Sequence, residues 1–197
     1  MSRTMHSGAL AQVHEANRLF LTCLQGRDDE ILERMGFPLA AVESLRRAEP
    51  EELDGLAEFP RALFRLRIEP RAAGARARSA VPARVVRDMS AAQILELTIL
   101  YGVWSICRDS TYKARLFLGF SPREVHELRT ALLSELPSIA LEALSIECAF
   151  AESAWLWDEL LNETRPEVRR QLVLVALQPS IDFAALEDRV ADRVQAE

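Results

Sequence analysis

Lysine is almost missing from this chain: Lys113 is the one lysine among 24 basic residues, and the others are arginine. That bias follows GC-rich coding and carries no chemistry. Cysteine is sparse and odd in number. Cys23, Cys107 and Cys148 lie far apart without a C-x-x-C pair. This argues against a disulfide framework or a structural zinc and leaves core thiols on helices. His6, His14 and His126 are isolated, and none stands at metal-ligand spacing from another histidine. Every apolar run falls well short of the roughly 18 residues that mark a membrane span. Met1 to Gly8 has one arginine and no apolar core, unlike a secretory signal, so a cytoplasmic location is expected. Also missing are a Gly-rich phosphate loop, G-x-S-x-G, H-E-x-x-H and the dinucleotide fingerprint. No enzyme activity, cofactor, metal or small-molecule substrate is therefore expected. Asp158 and Glu159 beside Trp155 and Trp157 read as the acidic outer face of a helix with an aromatic inner one.

What is present suits a globular protein. A chain of 197 residues, 49% apolar and 27% charged, makes one large domain or two small ones and can bury a core without staples. The net charge of −6 is unevenly spread. Residues 61–87 hold eight arginines against Glu69 alone, a local +7, which leaves −13 elsewhere. A basic segment in an acidic protein is either a nucleic-acid contact or a solvated linker.

One stretch occurs twice. Gly36, Phe37, Val42, Leu45, Arg46, Ala48, Glu52, Leu53 and Ala57 each recur 83 residues later, giving nine identities in 22 positions without a gap. The second copy includes Gly119, Phe120, Val125, Leu128 and Leu136. Chance likeness of two windows rich in Leu, Ala, Glu and Arg is the bland alternative. Two copies are too few for a solenoid and suggest a duplicated helical domain.

Apolar spacing predicts a helix over 9–25, with Leu10, Val13, Ala16, Phe20 and Leu24 inward. Asp28 is placed to cap a short helix that ends at Gly36. Pro38 starts a third helix with Val42 and Leu45, and Glu51 to Glu58 makes a fourth. Leu63 to Ile68 alternates in part, like a short strand with its arginines on one side, and 70–86 reads as a linker. In the second half Ser90 caps a helix carrying Ile94, Leu97, Thr98, Tyr101, Trp104 and Ile106. A short helix from Asp109 to Leu118 follows. Ser121-Pro122-Arg123-Glu124 is a capping box with proline at the first helical position, opening a helix to about Glu135. Pro137 restarts a long helix expected to reach about Asn162, and two last helices are expected near 166–177 and 183–195.

A short helix, a glycine, then a helix with an apolar residue six positions on is the outline of a helix-turn-helix. Base-reading side chains would stand early on the second helix. In the second copy these are Arg123, His126 and Glu127; in the first, Leu39, Ala40 and Glu43. Only the second copy has polar readers of that kind. The candidate DNA contacts are therefore Arg123 and His126 with Arg65, Arg67, Arg76, Arg78, Arg84 and Arg87 of the basic stretch. The candidate repeat core is Gly36, Val42, Leu45 and Leu53 with Gly119, Val125, Leu128 and Leu136.

The helix Leu19-Phe20-Leu21-Thr22-Cys23-Leu24-Gln25, then Asp28, Met35-Gly36 and an extended Phe64-Arg65 resemble FlhD, a subunit of the bacterial flagellar master regulator. The chain also looks like an uncharacterised FlhD-like family carried on integrative and conjugative elements. The resemblance covers 10–70 and, more loosely, 95–140. It implies an all-helical transcription-factor subunit that works with a zinc-binding, FlhC-like partner as a DNA-binding activator. Two departures stand out: this chain has two copies where FlhD has one, and Leu63-Phe64-Arg65-Leu66 lacks the cysteine that precedes the extended stretch in FlhD. The fold expectation is all-α, with two FlhD-like repeats, 9–70 and 90–162, packed as a pseudo-dimer. A basic linker at 71–89 joins them, and C-terminal helices occupy 163–197. The functional expectation is a transcriptional regulator of mobile-element genes, binding DNA alone or with that partner; the alternative is a helical interaction adaptor without DNA contact.

Overall fold

The computed structural model describes residues 4–68, 89–142, 144–151 and 154–163, together with 168, 171 and 172. The chain divides into two units, Met1–Asn162 and Glu163–Glu197. The helices expected near 166–177 and 183–195 lie outside the described residues, apart from Val168, Gln171 and Leu172, which are helical.

The first unit is mostly helical. Its first half runs α1 (Thr4–Gln25), α2 (Asp29–Arg34), a 3-10 turn (Leu39–Ala41), α3 (Val42–Arg47), α4 (Pro50–Ala57) and β1 (Phe64–Ile68). Its second half runs α5 (Ala91–Asp109), α6 (Thr111–Leu118), α7 (Pro122–Thr130), a 3-10 turn (Leu133–Glu135), α8 (Leu136–Glu142), β2 (Leu144–Cys148) and α9 (Ala154–Asn162).

The start signals act where their chemistry allows. The Ser90 hydroxyl accepts from the Gln93 N–H at 3.3 Å while Gln93 Oε1 accepts from the Ser90 N–H at 2.9 Å, so both orphan donors are satisfied. Ser121 and Glu124 make the same exchange at 3.3 and 2.7 Å, with Pro122 opening α7. Asp28 stands in extended backbone before α2, but its side chain makes no capping bond. Gly36 and Gly119 end α2 and α6 with φ of +74° and +71°, where a Cβ is strained.

α1 packs along α5, and this pairing is the spine of the unit. From α1 come Val13, Ala16, Phe20, Leu21 and Leu24, all buried, while Leu10 is half-buried. α1 also starts at Thr4, five residues before its expected beginning. From α5 come Leu97, Ile99, Leu100, Val103, Ile106 and Cys107. The expected inner face was off by part of a turn: Ile94 and Thr98 are exposed, and Tyr101 and Trp104 are half-buried. Trp104 lies at the edge because its indole N–H must reach the Ala131 carbonyl, at 3.0 Å.

The single helix expected over 137–162 does not form. α7 already stops at Thr130, and after α8 the chain runs extended as β2 before turning into α9. Leu144, Ile146 and Cys148 alternate with Ser145 and Glu147, and β1 needs a partner because one strand alone leaves its ladder groups unpaired. The strands pair antiparallel with Phe64 opposite Cys148, Leu66 opposite Ile146 and Ile68 opposite Leu144. The fold is therefore helical with one two-stranded sheet among the described residues. Phe64 and Leu66 face the core, where the Phe64 ring stands 5.5 Å from that of Phe20. Arg65 and Arg67 face out.

Candidate functional site

The helical corner of the second half is built by Gly119 between α6 and α7. Ser110 caps α6 by accepting from the Lys113 N–H at 3.3 Å. Val125 and Leu128 anchor the inner face of α7 in the core, at 1% and 2% exposure. The outer face then presents Arg123, His126 and Arg129 to solvent. Arg123 reaches Glu127 one turn on at 3.1 Å, and Arg129 Nη1 donates to the Thr111 hydroxyl at 3.0 Å. Both are exposed pairings that a ligand can exchange at small cost. His126, Arg129, Thr111 and Thr130 border a shallow recess of about 480 Å³.

The opposite flank of α7 faces the sheet. Here a cleft of about 420 Å³ lies between α7 and the outer end of β1. Leu66, Ile68, Phe120 and Leu128 supply apolar lining; Glu124, Glu127, Glu147 and Arg67 supply charge. Arg67 is bonded to Glu147 at 3.3 Å. Three carboxylates against one guanidinium make this flank acidic. Arg65 extends from the outer face of the sheet, while Arg61 folds back until its guanidinium lies 2.9 Å from where a Cβ on Gly119 would stand. Burial, and then the Arg65 charge, push Arg61 below the ordinary arginine range.

Of the expected DNA contacts, Arg123 and His126 share the exposed face of α7, and Arg65 and Arg67 share the outer face of β1. Arg67 reaches the α7 flank, but in an acidic setting. Arg76, Arg78, Arg84 and Arg87 lie outside the described residues. The repeat-core residues Val42, Leu45, Leu53, Val125, Leu128 and Leu136 are all buried. Sequence reading placed Arg129 in the repeat as the counterpart of Arg46 but not on the solvent face of α7 beside His126, and it did not read Glu124 and Glu127 as walls of a cleft. The second signal needed β2, which was expected to be helix.

Among the described residues no group of His, Cys, Asp and Glu is gathered to hold a metal, and no helix is long and apolar enough to cross a membrane. The chain matches no protein-family model, no curated protein and no solved structure.

Proposed function

We propose that this chain is a subunit of a transcriptional regulator, one polypeptide folded as a pseudo-dimer of two FlhD-like halves. In this reading it activates genes of a mobile element by contacting DNA, alone or beside an FlhC-like partner. The observation that carries the reading is the succession of elements. Long helix, short helix, left-handed glycine, helix, helix and strand occur in the same order in both halves. Like elements also meet: α1 lies along α5, and β1 pairs with β2. A symmetric dimer joins its subunits through such self-complementary contacts. Intramolecular pairing is further held by Arg27 and Glu96, 2.7 Å apart between the end of α1 and α5. Burial raises the Glu96 carboxyl, and Arg27 opposes that rise.

DNA contact in this reading comes from Arg123, His126 and Arg129 on α7, with Arg65 on β1 and Arg76, Arg78, Arg84 and Arg87 from the basic segment. A chain of net charge −6 needs such clustering, or a partner's surface, to hold phosphate. The test is fluorescence anisotropy on duplex DNA over a salt series. Replacing the four arginines of 76–87 by alanine should weaken binding to every sequence and flatten the salt dependence by roughly 0.9 log unit per lost contact. Unchanged affinity and slope would return the 76–87 segment to the status of a linker.

The second reading, an interaction adaptor without DNA contact, is favoured by the acidic flank of α7, which repels phosphate. Absence of any DNA binding at low salt, with and without a partner, would select it.

A further inference from the structure

The cleft beside α7 has a counterpart in the first half, and that counterpart is filled. α9 lies over the 3-10 turn at Leu39–Ala41, α3 and α4. Its Trp157 is fully buried and packs edge-on against Phe37, ring centroids 5.0 Å apart. At its far end the Ser44 hydroxyl donates to Asn162 at 3.3 Å. Phe37 and Ser44 thus seat one aromatic-bearing helix, with buried Ala41 of the 3-10 turn and buried Leu45 of α3 under it. Shifted by 83 residues these positions become Phe120, Glu124, Glu127 and Leu128, and all four line the open cleft. The apolar floor is kept. The two small residues of the filled seat are replaced by carboxylates.

We propose that this cleft is a docking site for a short amphipathic helix of a partner protein, one that presents an aromatic side chain flanked by arginine or lysine. The inference rests on the equivalence of the two halves. The filled seat shows the shape of an occupant, a two-turn helix with a tryptophan knob. Glu124 and Glu127 specify the charge, opposite to that of α9, which offers Asp158 and Glu159 outward. The Glu127 bond to Arg123 is a surface ion pair and exchangeable, while Glu124 keeps its Oε2 on the Ser121 N–H as the cap of α7. The chain's own segment 69–88 has the right charge but no aromatic residue, and it carries Pro70, Gly74 and Pro82. A partner therefore fits the seat better than this segment does.

The probe is a synthetic peptide of the α9 sequence carrying Asp158→Arg and Asn162→Arg, which stand one turn apart on one face. It is titrated into the isotope-labelled full chain and followed by NMR. The expected result is saturable binding with shifts at Phe120 and Leu128, little binding of the unaltered acidic peptide, and a loss of about ten-fold or more with Glu127→Arg in the protein. Glu127→Gln, which removes the charge without repulsion, should fall between. No binding up to millimolar peptide, or equal binding of the acidic peptide, overturns the proposal. Binding that emerges only after Arg76, Arg78, Arg84 and Arg87 are changed to alanine also overturns it, in favour of the chain's own segment. The same spectra report the cross-strand contact of Leu66 with Ile146. Lost peptide binding with that contact intact counts against the docking site alone; loss of the contact itself counts against the paired halves.

Discussion

Asn17 is the residue whose replacement should cost the fold most for its size. It lies on α1 and is fully buried. Its side-chain Nδ2 faces the carbonyls of Ala57, Phe59 and Arg61 at 3.3, 3.2 and 2.9 Å, and its Oδ1 accepts from the Leu63 N–H at 2.8 Å. One amide therefore holds the whole turn between α4 and β1 against the spine. Nδ2 has two hydrogens for three carbonyls, so three bonds in all are well made at one time. Losing them at about 1 kcal/mol each, and stranding the buried Leu63 N–H at about 1–3 kcal/mol, predicts a net loss of about 3–5 kcal/mol for Asn17→Leu after its apolar gain. Asn17→Asp keeps the acceptor but turns a carboxylate toward carbonyl oxygens, and it should be no less damaging at pH 7. Urea unfolding followed by far-UV circular dichroism gives the number, with an unchanged slope as the control for two-state behaviour. Amide exchange at Leu63 should accelerate in parallel. A loss below about 1 kcal/mol with an unchanged slope would refute the idea that this amide holds the turn.

Leu45→Ala and Leu128→Ala remove buried side chains 83 residues apart in sequence, and each should cost about 2–5 kcal/mol in chemical denaturation. The two glycines should differ. An alanine Cβ at Gly36 would meet the Ala151 Cβ at 2.7 Å, but at Gly119 only the movable end of Arg61 at 2.9 Å, so Gly36→Ala should lower the melting temperature more than Gly119→Ala. Both also bear the left-handed cost of about 1–2 kcal/mol. Burial pushes the Cys107 thiol from 9.0 up to about 12 and raises Cys148 further, with Glu147 adding to the second. The folded chain then holds these protons longer than the unfolded one. Their contribution is complete below about pH 8.5 and is lost as pH rises toward 12, by at most about 1.4 kcal/mol per unit for each thiol. Urea midpoints at pH 8, 9 and 10 should fall more steeply for the native chain than for one with Cys107→Ala and Cys148→Ala; parallel curves would show both thiols to be solvated.

The helices were legible where local chemistry decides them. Ser90 and Ser121 stand three residues before a side chain that can return the capping bond, and Gly36 and Gly119 stand where left-handed backbone is needed. Two kinds of feature were not legible. β2 is five residues long inside a segment rich in helix formers, and its strand character depends on a partner 80 positions earlier, a tertiary effect that outweighs local propensity. Asn17 carries no local signal in the sequence that sets it apart from other polar residues of the first helix. Its role depends on three carbonyls, 40 to 44 residues on, brought to it by the turn between α4 and β1. The site followed the same rule. Arg123 and His126 are legible on the outer face of α7 from its start signal, whereas the acidic cleft on the other flank needs β1, β2 and α7 together.

The central claim is that the two halves pair within one chain. Exposed Gln12 of α1 and half-buried Ser105 of α5 are adjacent, with Gln12 Nε2 3.4 Å from the Ser105 hydroxyl. In a background without the three native cysteines, Gln12→Cys with Ser105→Cys should be joined by a short bismaleimide cross-linker, which spans more than a disulfide can, at monomer mass on a denaturing gel, at micromolar protein. Cross-linking found only at dimer mass, or none under conditions that leave the fold intact, would contradict the pairing.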